Sequence, residues 1–281
     1  MTSGILLATD LLAHADRAMD RAALIAEAAG LPLDILHVVS RELRTAPGLD
    51  AAKAAALASL RAEIAAAELP AGLSVTPLVR GGEPGPAIVA AAAEARSVLV
   101  VLAAQHGDLL VRLFRGSALH HAVRHAPCPV LLVRRRARHA YRRIVVAVDL
   151  SLPSRLALDR ALRLMPGAGM AQVELTLVHA GFVGAPPAAV QEQRARVDDM
   201  LVASLARLAA EGMAPPGSIA TVMETGGAVA VVAAAAAARD AELVVAGTTG
   251  LTGAANLLLG SVAEALLATL PCDVLAVRPV A

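Results

Sequence analysis

The chain reads as two α/β domains in tandem, each a doubly wound, five-stranded and mostly parallel sheet. Three observations predict this fold class: short, continuously apolar runs of Val, Ile and Leu; Ala-rich helical stretches between them; and a repeat of the whole order at an offset of about 140 residues. Unbroken hydrophobicity, rather than alternation, is what a strand covered on both faces requires. A helix between every two strands then leads to parallel pairing through right-handed crossovers.

The repeat sets the organisation. Ile5-Leu-Leu-Ala-Thr-Asp10 matches Ile144-Val-Val-Ala-Val-Asp149 at an offset of 139, and Ile35-Leu-His37 matches Thr176-Leu-Val-His179 at 142. Gly116-Ser117 matches Gly260-Ser261, and Cys128-Pro-Val-Leu-Leu-Val133 matches Cys272-Asp-Val-Leu-Ala-Val277, both at 144. A slowly growing offset means a few loop insertions within one conserved order of elements, so the domains are placed at residues 1–138 and 139–281.

The elements follow in order along the second copy. Residues 144–148, Ile-Val-Val-Ala-Val, form the first strand, and the Leu- and Ala-containing stretch 154–164 the helix after it. The apolar run at 173–178 is the second strand, followed by a long helix over 188–210. The third strand, 219–223, precedes an almost pure Ala and Val helix over 228–238. Leu243, Val244, Val245 and Ala246 make the fourth strand; Val262, Ala263, Leu266 and Leu267 recur at helical spacing within 261–269; residues 274–277 are the last strand.

Composition removes several function classes. Net charge is +1, so no global field recruits nucleic acid or an acidic membrane. The cluster of six arginines within residues 134–143 is read as a solvated interdomain connector. Aromatic residues are 1% of the chain, which leaves no platform for stacking single-stranded bases. The longest charge-free run, 243–263, is broken by Gly247, Gly250, Gly253 and Gly260 and does not suit a lipid-facing helix, and the N-terminus lacks the basic start of a secretory leader. A cytoplasmic protein is expected. Cys128 and Cys272 read as small buried residues.

Gly247-Thr-Thr-Gly250, followed by Gly260-Ser261, stands where a buried strand hands over to a helix. Glycines let backbone approach a ligand, and the first amides of a helix are unpaired and point outward, so this stretch is expected to cradle an anion such as a phosphate. In doubly wound sheets ligands sit at the carboxyl ends of the strands, which is where Asp149, His179 and Gly247 fall. No Gly-x-x-x-x-Gly-Lys-Ser/Thr motif occurs, no glycine fingerprint follows the first strand, and no Gly-x-Ser-x-Gly elbow is present. These absences argue against a P-loop ATPase, a dinucleotide oxidoreductase and the usual serine hydrolase. His121 and His125, four apart on an expected helix beside His120, have no evident third ligand at suitable spacing, so no metal centre is assigned, and no catalytic residue is.

On these motifs the chain resembles the universal stress protein family, in its nucleotide-binding form. The second copy carries Asp149-x-Ser151, Leu-Val-His179, Gly247-x-x-Gly250 with Gly260-Ser261 after nine residues, and Pro-Cys-Asp-Val-Leu-Ala-Val277; the first carries Asp10, Leu36-His37-Val38, Gly116-Ser117 and His125-Ala-Pro-Cys-Pro-Val130. The resemblance implies the adenine nucleotide alpha-hydrolase-like fold and ATP as ligand, with Mg arriving on the phosphates. It implies that Ala147, Val148, Asp149 and Ala180 flank adenine and ribose, and that Ala246, Gly247, Gly250, Gly260, Ser261 and Val262 surround the phosphates. In the first copy Ala103 and His106 stand where the first two glycines belong, Gly107 is displaced by one, and Leu12 replaces the serine matched by Ser151, so that copy is expected to be degenerate. The expected function is ATP-dependent regulation with one nucleotide per chain and at most slow hydrolysis; the alternatives are a non-nucleotide scaffold or a slow ATPase. The family also implies pairing of last strands, Val130–Val133 with Val274–Val277, as an internal pseudo-dimer, with further homodimerisation left open.

Overall fold

The structure is a computed structural model that describes residues 3–12, 16–39, 48–104, 117–164, 169–249 and 259–279. The chain divides into two compact units, Met1–His139 and Ala140–Ala281. In the first unit the elements run β1 (Ile5–Thr9), α1 (Asp16–Ala29), β2 (Leu33–Val39), α2 (Leu49–Ala66), β3 (Val75–Gly81), α3 (Pro84–Glu94), β4 (Leu99–Ala103), α4 (Ala118–His125) and β5 (Val130–Val133). In the second they run β6 (Arg143–Ala147), α5 (Leu152–Leu164), β7 (Glu174–Gly181), α6 (Pro187–Ala210), β8 (Ser218–Thr225), α7 (Ala228–Ala238), β9 (Leu243–Gly247), α8 (Ser261–Thr269) and β10 (Asp273–Val277).

Each unit is a parallel sheet with the same strand order, β3-β2-β1-β4-β5 in the first and β8-β7-β6-β9-β10 in the second. The unbroken apolar runs are buried along their length: every residue of β1, β5 and β10 is buried. The outer strands β3 and β8 are half-exposed, and their sequences are correspondingly mixed. Pro77 sits in β3, where a missing backbone donor faces the open side of the sheet at no cost to a central ladder.

Packing repeats along with topology. Ala18, Met19, Ala22 and Ala23 are the buried stripe of α1, and Ala157, Leu158, Ala161 and Leu162 are that of α5, the same register at the 139-residue offset. Small residues on the stripe let helix and sheet approach closely. At Gly247 strand and helix come close: a Cβ there would lie 2.8 Å from the Cβ and 2.9 Å from the carbonyl carbon of Pro153 in α5. The turn after the first strand is also repeated, with Leu11 at φ 61° and Leu150 at φ 64°, a left-handed conformation that large side chains rarely adopt. Each is framed by the preceding aspartate, whose Oδ1 accepts from the amide two residues on: Leu12 N at 3.2 Å from Asp10, Ser151 N at 3.0 Å from Asp149.

Candidate functional site

In the second unit the strand order reverses between β6 and β9, because β6 leads outward to β7 and β8 while β9 leads to β10. The crossovers therefore leave on opposite faces and open a crevice at the carboxyl ends of the two strands. A cleft lies there. It measures about 160 Å³ as cavity volume and about 730 Å³ with its open mouth, room for one end of a small organic ligand rather than for a lone ion.

Nine of the sequence-expected residues line it: Ala147, Val148 and Asp149 where β6 ends, Ala180 on β7, Ala246 and Gly247 on β9, and Gly260, Ser261 and Val262 at the start of α8. Gly250 lies outside the described residues, as do His106, Gly107, Arg112, Arg115 and Gly116. Sequence reasoning missed Ser154 at the start of α5, Val178, Thr249, Ala263, and the pair Ala228 and Val232 on α7. Ser154 had a signal in its closeness to the Asp149-x-Ser151 turn. Ala228 and Val232 had none, being two members of a uniform Ala and Val helix.

The walls are aliphatic and small, and Asp149 supplies the one acidic side chain among the described lining residues. One of its oxygens, Oδ1, is occupied by the Ser151 amide. Ser151 and Ser154 engage each other: Ser154 N donates to Ser151 Oγ at 3.3 Å, and Ser154 Oγ donates to the Ser151 carbonyl at 3.0 Å. The turn is thus held by hydrogen bonds within itself.

Further backbone donors among the described lining residues are on α8. Its N-cap is Gly260, without a side-chain capping bond, and its first intrahelical bond is Glu264 N to Gly260 O at 3.0 Å. The amides of Ser261, Val262 and Ala263 precede that bond, belong to the unpaired first turn, and line the cleft. Two expectations about the glycines change here. Gly260 N donates to Thr248 O at 2.6 Å, so this amide serves the loop rather than a ligand. Gly247 is required by the Pro153 backbone against it, so its missing side chain is explained by helix packing rather than by ligand approach.

The corresponding helix of the first unit ends differently. The N-cap of α4 is Ser117, whose Oγ accepts from His120 N at 3.1 Å, so the helix caps itself. Ala103 carries a side chain where β9 ends in Gly247, and Leu12 is 57% exposed. Arg17 spans the nearby strand ends, donating to the carbonyls of Arg134 at 2.6 Å and Ala104 at 3.3 Å. No group of three or more metal-ligating side chains gathers among the described residues. No described helix is long and apolar enough to cross a membrane.

The sequence profile described as "Universal stress protein family" matches residues 1–134 and again residues 140–278. A universal stress protein from Archaeoglobus fulgidus DSM 4304 is 18% identical, each chain covering 99% of the other, with a TM-score of 0.73. A protein of unknown function from Pseudomonas aeruginosa PAO1 is 23% identical over 99% of this chain and 93% of its own, with a TM-score of 0.63. A universal stress protein from Archaeoglobus fulgidus in complex with dAMP covers 46% of this chain and 96% of its own at 24% identity, with a TM-score of 0.33. No curated protein matches.

Proposed function

Because this chain belongs to the universal stress protein family, we propose that its second unit binds one adenine nucleotide, ATP, and that the protein is a nucleotide-dependent regulator rather than an efficient enzyme. The observation that carries the reading is the uncapped start of α8. Three amides without helix partners face a cleft at the switch point of the sheet, and a phosphate would supply their acceptors, favoured further by the helix dipole.

The rest of the cleft suits the remainder of such a ligand. Ala147, Val148, Val178, Ala180 and Val232 offer aliphatic faces to a base, and Asp149 has Oδ2 unengaged among the described residues for a ribose hydroxyl. Mg would ride on the phosphates, since the described lining provides a single carboxylate. Slow hydrolysis at most follows from the same scarcity: among the described lining residues no second titratable group stands to activate water. The first unit, with a self-capped α4, is proposed to bind no nucleotide.

Calorimetric titration of the purified chain with ATP should give one site per chain. Gly250→Val should abolish the heat while leaving the circular dichroism unchanged. Two sites would overturn the degeneracy of the first unit, and no heat from the parent chain would overturn the reading. Phosphate release followed over hours distinguishes a binder from a hydrolase.

A further inference from the structure

Resting on this nucleotide reading, we propose that His179 is a positioning residue: its Nδ1–H holds the Val148 carbonyl and thereby fixes the Val148–Asp149 wall of the cleft. Ladder pairing between β6 and β7 ends in register at Ala147 and Val178. Val148 is nevertheless tied to β7 at both of its backbone groups. Its amide donates to Val178 O at 2.9 Å, and its carbonyl receives His179 Nδ1 at 2.8 Å. The imidazole thus extends the pairing by one residue, to the point where the chain leaves the sheet.

That point needs holding. Leu150 follows in the left-handed region at φ 64°, a shape a leucine does not keep unaided, and the Asp149 carboxylate is oriented by the turn it frames. The acceptor is a carbonyl, so in this bond Nδ1 is the donor. Nε2 is buried without a hydrogen-bond partner among the described residues, in a side chain 6% exposed. A leucine would fill this space without an unmet polar atom, so the Nδ1 bond is what the histidine contributes.

The first unit supplies the control. His37 Nδ1 lies 3.0 Å from Thr9 O in the same relation, in the unit whose α4 caps itself. A bond serving the fold alone would matter equally in both units; a bond serving the nucleotide matters only at His179.

The test compares His179→Leu, His179→Asn and His37→Leu for ATP affinity by calorimetry, alongside thermal midpoints and 15N NMR of the imidazole. In the folded chain His179→Leu should weaken ATP at least about 10-fold. Asparagine, whose Nδ2 can take the place of Nδ1, should restore affinity to within about threefold. His37→Leu should lower the thermal midpoint and leave affinity unchanged, and the spectrum should show the Nδ1–H tautomer. Unchanged affinity in His179→Leu, an equal loss in His37→Leu, or an Nε2–H tautomer each overturns the inference while the nucleotide reading stands. If the leucine variant does not fold, the asparagine variant decides: a loss of about 10-fold there overturns it too. A parent chain that binds no ATP removes both.

Discussion

Ser117 and Gly260 occupy the N-caps of corresponding helices, yet the sequence match aligns Gly116-Ser117 with Gly260-Ser261, so the cap has moved by one residue between the units. A serine hydroxyl at the cap satisfies an amide of its own helix, whereas a glycine leaves that amide to whatever comes from outside. Gly260→Asp should therefore stabilise the free protein by a few tenths to about 1 kcal/mol, through the cap and the dipole. It should also weaken ATP at least about 10-fold, because a fixed carboxylate would stand where the phosphate charge is proposed to sit. Its backbone, at φ −64° and ψ 141°, suits any residue, but a Cβ there would lie 3.2 Å from Thr248 O, so the gain requires the Thr248 backbone to shift slightly. Gly247 behaves oppositely. Even alanine there meets Pro153 at 2.8 Å, so Gly247→Ala should cost about 1–3 kcal/mol in chemical denaturation as α5 is pushed from β9.

Among elements, the convergence of α1, α2 and the end of β1 sets a pH dependence. Glu63 on α2 has its carboxyl pushed above the usual range by burial first, then by Asp16 of α1, partly offset by His37, with Asp10 adding to the rise. A raised folded-state value means the folded form binds the proton more tightly than the unfolded chain does. Stability therefore falls as pH rises from the unfolded-state value through the raised folded one, and the penalty is fully present above the latter. Glu63→Gln should raise the melting temperature at pH 7, and the gain should vanish in acid below the ordinary glutamate range. A gain that persists there would exclude the electrostatic cause. Element positions were legible wherever a run was long and uniform: β9, expected at 243–246, spans Leu243–Gly247, and α7 and α8 begin and end at the expected residues. The left-handed Leu150 and the reason for Gly247 were not, because each depends on a neighbour that α5 brings from elsewhere in the fold.

For the whole molecule, duplication gives two compact units with the same sheet order, and nucleotide is proposed for one of them. Differential scanning calorimetry should then resolve an asymmetric response. At ATP 100-fold above its Kd the transition of the second unit should gain about 2.7 kcal/mol, with that of the first unmoved, and an equal shift of both would contradict the asymmetry.

The sequence by itself determined the fold class and the duplication, which follow from apolar runs and self-similarity along the chain. The nine expected residues that line the cleft were implied by the family resemblance of its motifs. Tertiary structure decided which groups can act. It brought Ala228 and Val232 of α7 against β6, assigned Gly260 N to Thr248 O, and left the α8 amides open where Ser117 closes those of α4. The physical reason is that a backbone donor or a missing Cβ has no chemistry of its own in a sequence. Its role is set by what the crossovers place within about 3 Å of it.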